Sequence, residues 1–203
     1  MKVAVIGGGA AGFFAALSVA EHHPGATVML YEKSDKVLSK VRISGGGRCN
    51  VTHDELEPRK LAKHYPRGGA FLRKAFKHFS VADTIAWFGR HGVALKVEPD
   101  GRMFPTTDDS ETIAQALLRT ATDLGIQVEL RSPVNNIQPV AEGYVLSIHG
   151  KDVRADKVII TAGGHPKPEA YHWLAALGHR IEPPVPSLFT FNIPNDPIRE
   201  LMG

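Results

Sequence analysis

The chain has 203 residues, of which 43% are hydrophobic and 22% charged, with a formal net charge of +3. That is the composition of a globular protein with one sizeable domain or one and a fraction; it excludes a disordered, collagen-like or coiled-coil chain. No run is long and apolar enough to read as a membrane span. The single cysteine, Cys49, excludes an internal disulfide and fits a reducing cytoplasm, where the protein is expected to reside.

In chain order, Lys2 to Ile6 is a near-continuous β-branched run of the kind covered on both faces, so it reads as a buried parallel strand. The apolar start imitates a signal peptide, but three glycines interrupt its would-be hydrophobic centre. Ala10 to Glu21 reads as a helix ended by His22-His23-Pro24-Gly25, and Thr27 to Glu32 as a second strand. A polar connection from Ser34 to Pro66 carries Ser44-Gly-Gly-Gly-Arg-Cys-Asn50, and a connection this long is usually functional. Phe71 to Phe79 and Val81 to His91 read as helices, the second capped by Ser80 and stopped by Gly92. Ala94 to Val97 and Arg102 to Phe104 flank Glu98-Pro-Asp-Gly101, a hairpin signal. Asp109-Ser110 caps a helix through Leu124, and Ile126 to Leu130 is a strand. Val134 to Pro139, Tyr144 to His149 and Asp152 to Ala155 form an antiparallel meander. Lys157 to Thr161 is a further buried strand running into Ala162-Gly-Gly164; a helix over Pro168 to Leu177, a proline-rich exit and a strand over Leu188 to Ile193 follow.

The first strand, the turn Gly7-Gly-Gly-Ala-Ala-Gly12, the helix behind it and Glu32 at the end of the second strand form a dinucleotide-binding fingerprint in its full context. Gly7 permits the tight turn, Gly9 leaves room for a pyrophosphate against the backbone, and Gly12 lets the helix pack closely. Helix-start amides and the helix dipole favour the phosphate charge. Glu32 can accept hydrogen bonds from a ribose 2′-hydroxyl and would repel a 2′-phosphate. The fingerprint alone leaves FAD and NAD open. Three glycine turns, at Gly7 to Gly12, Ser44 to Asn50 and Ala162 to Gly164, would leave room for a long ligand such as FAD at the carboxyl ends of the strands.

These residues resemble a bacterial family of FAD-binding flavoproteins similar to aminoacetone oxidase and the bile-acid 3-dehydro reductases, within the glutathione-reductase-type superfamily. The resemblance is carried by Val5-Ile-Gly-Gly-Gly-Ala-Ala-Gly12, Ile43-Ser-Gly-Gly-Gly-Arg-Cys-Asn-Val-Thr52, Gly101-Arg-Met-Phe-Pro105 and Ile159-Ile-Thr-Ala-Gly-Gly164. It implies an α/β fold: a Rossmann-type parallel sheet with an inserted antiparallel β-meander and the start of a second domain. It also implies an FAD-dependent oxidoreductase. By position, Gly7, Gly9, Ala10, Ala11 and Gly12 would hold the pyrophosphate, and Glu32 and Lys33 the adenosine ribose. Lys40, Ser44, Gly45, Gly46, Gly47, Arg48, Cys49 and Asn50 would line the pyrophosphate, ribitol and flavin side. Val134 would contact the adenine through its backbone, and Ala162, Gly163 and Gly164 would lie beside the pyrophosphate. Leu38-Ser39 stands where family members often carry Gly-Arg. Family members are about twice as long, so residues 1–186 are expected to form an FAD-binding domain lacking its return segment, and residues 187–203 the stub of a substrate-facing domain.

No catalytic residue is legible, and the substrate is an unidentified small molecule, with NADH or NADPH a candidate electron donor. An NAD-dependent dehydrogenase and a non-catalytic nucleotide-binding remnant are the alternatives. The ten scattered histidines lack metal-ligand spacing, and no metal is expected. Cys49 reads as a small buried residue rather than a redox thiol, and Arg48 either balances the pyrophosphate or pairs with a carboxylate. The basic stretch Arg59, Lys60, Lys63, Arg67, Arg73, Lys74 and Lys77 reads first as solvated helix faces, with an anionic ligand or a tRNA as the minority reading, so neither nucleic acid nor membrane is the leading expectation for a partner. A strand edge at Lys157 to Thr161 left unpaired would favour self-association.

Overall fold

The computed structural model describes residues 1–185 and Pro197. Strand β1 (Lys2–Ile6) leads through the glycine turn into helix α1 (Ala10–His22), and β2 (Thr27–Tyr31) follows. The connection read as one long loop instead contains short elements: α2 (Ser39–Ile43), a 3₁₀ turn (Ser44–Gly47), β3 (Thr52–His53) and α3 (Pro58–Leu61). Four- and five-residue helices are too short for apolar periodicity to register. Helices α4 (Gly69–Ala75) and α5 (Val81–Arg90) come next, the latter with a reciprocal Ser80–Asp83 capping box. The hairpin β4 (Leu95–Val97) and β5 (Arg102–Pro105) follows, then α6 (Ser110–Asp123), whose Asp109 cap accepts the Glu111 amide at 2.9 Å. Strand β6 (Gln127–Glu129) precedes the meander of β7 (Val134–Val140), β8 (Gly143–Ile148) and β9 (Lys151–Ala155). Strand β10 (Lys157–Ile160) and α7 (His172–Ala176) end the described elements. The segment 187–203, including the strand expected over Leu188 to Ile193, lies outside the described residues apart from Pro197.

The parallel sheet has the order β10-β1-β2-β6. Alternation along its strands decides what covers each face. Val3, Val5, Val28 and Leu30 point toward α1, α5 and α6 and join Phe13, Leu17, Trp87, Ile113 and Leu117 in the main core. Ala4, Ile6, Met29 and Tyr31 point the other way and pack on Ile137, Leu146 and Ile148 of the meander. Both faces are therefore covered, which is why β1 and β2 read as unbroken apolar runs. A small antiparallel sheet, β3-β5-β4, stands beside this frame. It belongs to the same Rossmann-type design: a parallel sheet with helices, plus antiparallel additions.

Among the described residues β10 is an edge of the parallel sheet, and β1 lies between it and β2. The chain leaves β1 toward β2 on one side and reaches β10 on the other only after the meander. The strand order therefore reverses at β1, and a crevice opens outside the strands' carboxyl ends there.

Candidate dinucleotide site

That crevice is a cleft of about 410 Å³ lined by Gly7 from the end of β1, Tyr31, Glu32 and Lys33 from the end of β2, and Ala162, Gly163 and Gly164 after β10. Ser132, Pro133 and Val134 close one side, and Tyr171, Trp173 and Leu174 the other. Seven of the residues singled out from the sequence thus line this one cleft: Gly7, Glu32, Lys33, Val134, Ala162, Gly163 and Gly164.

The glycine turn is fixed by contacts that any side chain would break. Gly7 has φ +110, and a Cβ there would lie 2.5 Å from the Thr161 carbonyl oxygen. A Cβ on Gly12 would lie 1.8 Å from the Gly7 carbonyl oxygen, so the helix packs closely on the turn itself. Gly9 differs: nothing stands within 4 Å of its would-be Cβ. It is the N-cap of α1, no side chain caps it, and the first turn holds no acid. Gly9, Ala10 and Ala11 are all exposed. The helix thus begins with exposed amide donors that no side chain satisfies, just after Gly7 of the cleft lining, although Gly9, Ala10, Ala11 and Gly12 do not themselves line the cleft. This arrangement fits a pyrophosphate.

Glu32 is held at the rim. Its Oε2 accepts the Gly8 amide at 2.7 Å, and its Oε1 accepts the Ser34 amide and hydroxyl, each at 2.8 Å. Partial burial opposes its charge, but these hydrogen bonds and the neighbouring Lys33 outweigh it and hold the carboxyl below its ordinary value. Glu32 is therefore ionised at neutral pH, an acceptor suited to ribose hydroxyls and hostile to a 2′-phosphate.

The glycine loop of Ser44 to Asn50 does not line this cleft. It is built on the small sheet. Gly45, Gly46 and Gly47 all have positive φ, as does Cys49, and Gly45 packs against Phe104 of β5. The Ser44 hydroxyl donates to the Val41 carbonyl at 2.9 Å, and the Cys49 amide to the Ser44 carbonyl at 3.0 Å. Arg48 lies over the Phe104 ring, 4.0 Å from its centroid, and pairs with Glu98, with Asp108 at 3.6 Å. These are the carboxylate partners that one of its two sequence readings called for. Cys49 is buried in the main core; burial pushes its thiol up, against a small opposing effect of Ser44. Lys40 is exposed on α2. The two regions are tied together by the Leu38 amide on the Gly8 carbonyl at 2.8 Å and by Arg42, whose guanidinium donates to both Glu111 carboxylate oxygens, at 2.8 and 3.2 Å.

Sequence reasoning missed Gly8, where a Cβ would meet Val37 at 2.6 Å, and Thr161, whose hydroxyl donates to the Ile6 and Gly7 carbonyls at 2.8 and 3.1 Å. Thr161 is the residue that staples β10 to the first turn. Its signal was present as a hydroxyl ending a buried strand just before a glycine pair. It also missed Tyr171 and Trp173 as cleft-lining residues: the helix expected over Pro168 to Leu177 is a 3₁₀ turn (Pro168–Tyr171) followed by α7, and nothing in its pattern shows that it folds back onto the carboxyl ends of the strands. Among the described residues no cluster of metal-ligating side chains occurs, and no helix is long and apolar enough to cross a membrane.

The pattern of the HI0933-like protein Rossmann domain matches residues 1–186. The chain is 24% identical over 208 aligned residues to a 3-dehydro-bile acid delta(4,6)-reductase of Clostridium scindens, covering all of this chain and 50% of that protein. It is 31% identical over 160 residues to the ribosomal RNA dihydrouridine synthase of Escherichia coli, covering 79% of this chain and 38% of that protein. The chain thus spans about half the length, or less, of the curated relatives it matches. In fold it resembles the 3-ketosteroid-delta4-(5alpha)-dehydrogenase of Rhodococcus jostii, with a TM-score of 0.58 and 18% identity over 80% of this chain and 46% of that one. A match running through the glycine turn, the loop at Ser44 and the strand before Ala162 leaves one conclusion about descent: the chain belongs to the HI0933-like family of FAD-binding Rossmann domains.

Proposed function

We propose that this chain is the FAD-binding part of a flavin-dependent oxidoreductase, with residues 1–186 forming that domain. The observation that carries the reading is the cleft at the carboxyl ends of β1, β2 and β10, lined by Gly7 and an ionised Glu32, together with the exposed start of α1, which follows the same turn and has no side-chain cap. In this reading the α1 amides and the turn backbone bind the pyrophosphate, and Glu32 and Lys33 orient the adenosine ribose. The Val134 backbone meets the adenine, and Ala162 to Gly164 flank the pyrophosphate. Lys40 and the loop from Ser44 to Asn50 serve the ribitol and flavin side. Bound FAD supplies hydride and single-electron transfer, and the protein's work is to hold and orient it. NADH or NADPH is the candidate reductant. The free Cys49 supports a reducing compartment, the cytoplasm. Among the described residues β10 has no outer partner strand, which supports self-association through that edge.

Titration of the purified chain with FAD and with ADP, followed by flavin fluorescence and calorimetry, tests the reading. Both are expected to bind and to compete. A folded protein that binds neither overturns it. One that binds NAD but not FAD supports the dehydrogenase alternative instead.

The curated relatives act on two kinds of substrate by name, a bile acid derivative and ribosomal RNA. One observation favours RNA as what the whole protein acts on: an exposed basic stretch from Arg59 to Lys77 with no acid in it.

A further inference from the structure

Residues 58–82 hold seven of the chain's 24 Lys and Arg and none of its 21 Asp and Glu, so the remainder of the chain is net acidic. The fold turns this segment into a surface. The segments bearing α3 and α4 pack on each other, with the Tyr65 ring 5.8 Å from Phe76 and Gly69 so close to Ala62 that a Cβ would lie 2.6 Å from its carbonyl oxygen. Leu61 and Phe76 turn inward onto Val81 and Met103. All seven cations are left exposed. Among the described residues Lys60 alone of the seven has a carboxylate partner, Glu57 at 3.6 Å.

Three aromatic rings stand among these cations: Phe71 is 75% exposed, Phe79 46% and Tyr65 44%. Phe71 and Lys74 are three residues apart on α4 and share a face. A flat ring set between cations is the pattern of proteins that track a nucleic-acid backbone while stacking its bases. It does not suit a membrane, which needs a continuous apolar helix face rather than separate rings on a seven-residue helix. The surface also adjoins the second glycine loop. Strand β3 runs between that loop and α3 and pairs with β5, against whose Phe104 the loop packs.

We propose that the surface of residues 59–79 docks single-stranded RNA, its lysines and arginines on the phosphates and Phe71 under a base. The proposal rests on the RNA reading above and adds the place where the RNA sits.

The test is fluorescence anisotropy of the 203-residue chain with labelled oligouridylate across a salt series, beside anionic phosphatidylserine vesicles. FAD binding is measured on every variant as a control on the fold. The variant R73E/K74E/K77E is expected to bind RNA at least about tenfold more weakly. Its log-log salt slope should fall by about 0.7 for each phosphate no longer neutralised. Phe71→Ala is expected to weaken binding about five- to hundredfold at an unchanged slope. A variant with the same charge change on the far meander side, K151E/R154E/K157E, is expected to stay within about threefold of the parent, since distant exposed charges are screened. If the parent chain binds RNA and both charge variants weaken it equally, the surface assignment is overturned while the RNA reading stands. If the parent binds no RNA at low salt while it binds FAD, the RNA reading itself fails. Vesicle binding that matches RNA binding, with Phe71→Ala silent in both, overturns RNA in favour of a lipid surface.

Discussion

Two glycines three residues apart in the same turn are expected to respond oppositely to the same small change. Gly12→Ala places a methyl in the first turn of α1, where helix propensity alone would stabilise by about 1 kcal/mol. The structure overrides that gain, because the new Cβ would lie 1.8 Å from the Gly7 carbonyl oxygen, a fixed backbone atom, where ordinary contact begins at 3.4 Å. Helix or turn must move, and α1 carries the buried Phe13, Ala16 and Leu17 with it. Overpacking of this kind costs about 1–3 kcal/mol, and the displaced side chains add to it. The expected net loss is about 2 kcal/mol or more, a Tm lower by about 4–8 °C for a domain of this size. Gly9→Ala meets nothing within 4 Å and keeps φ at −87, so its stability should change only by the capping difference, at most about 1 kcal/mol. Its methyl stands in front of the α1 amides. Losing one charge-assisted hydrogen bond to a phosphate costs about 1.5–3 kcal/mol, so ADP and FAD affinity should fall at least about tenfold. Thermal melts by circular dichroism and calorimetry with ADP separate the two effects. A Gly12→Ala protein as stable as the parent, or a Gly9→Ala protein with undiminished ADP affinity, refutes the reasoning.

Glu32→Ala removes the ribose acceptor and leaves the Gly8 amide without its partner; FAD and ADP affinity should drop about ten- to hundredfold in calorimetry. Thr161→Val keeps the shape but deletes the hydroxyl bonds to Ile6 and Gly7, so urea unfolding should report a loss of about 1–2 kcal/mol. Glu32, Asp108 and Glu111 all have carboxyl groups held below their ordinary values. Such groups contribute stability that is full above the ordinary carboxylate range and lost as pH falls through the depressed folded values, so acid should destabilise the protein there. Glu32→Gln should flatten part of that decline in urea titrations at stepped pH. The Cys49 thiol, buried and pushed up, should react with a thiol reagent at neutral pH only as fast as the protein opens, and readily in denaturant.

The Rossmann frame was legible because its signals are local and mutually consistent. Val3, Val5, Val28 and Leu30 mark strands buried on both faces, while Ser80, Asp109 and Gly101 mark caps and a turn by backbone chemistry alone. The cleft was legible for the same reason, since Gly7, Glu32 and Ala162 each sit where a parallel strand ends. The division of the glycine turns was not legible. Composition makes the loop at Ser44 and the turn at Gly7 look alike, yet only the turn lines the cleft, because the loop packs on Phe104 and the turn on Thr161, both far away in sequence. The fate of Arg48 was equally hidden, because its partners Glu98 and Asp108 arrive only when β4 and β5 pair.

That separation bears on how an extended cofactor would be read by this chain. In the proposed reading the adenosine end would meet a preformed cleft, where Glu32 already holds the turn in shape through Gly8. The loop at Ser44 has four residues at positive φ, Cys49 among them, and its anchors, Arg42 and Arg48, reach carboxylates on other elements, Glu111, Glu98 and Asp108. Those ion pairs are partly solvent-exposed, so each adds little stability, and their effect is to fix the loop's direction. ADP affinity should therefore be insensitive to loosening this anchor, while FAD affinity should respond. Arg42→Ala tests the point directly: a fall in FAD affinity with ADP affinity unchanged is expected, and an equal fall in both would mean that the loop and the cleft are one mechanical unit.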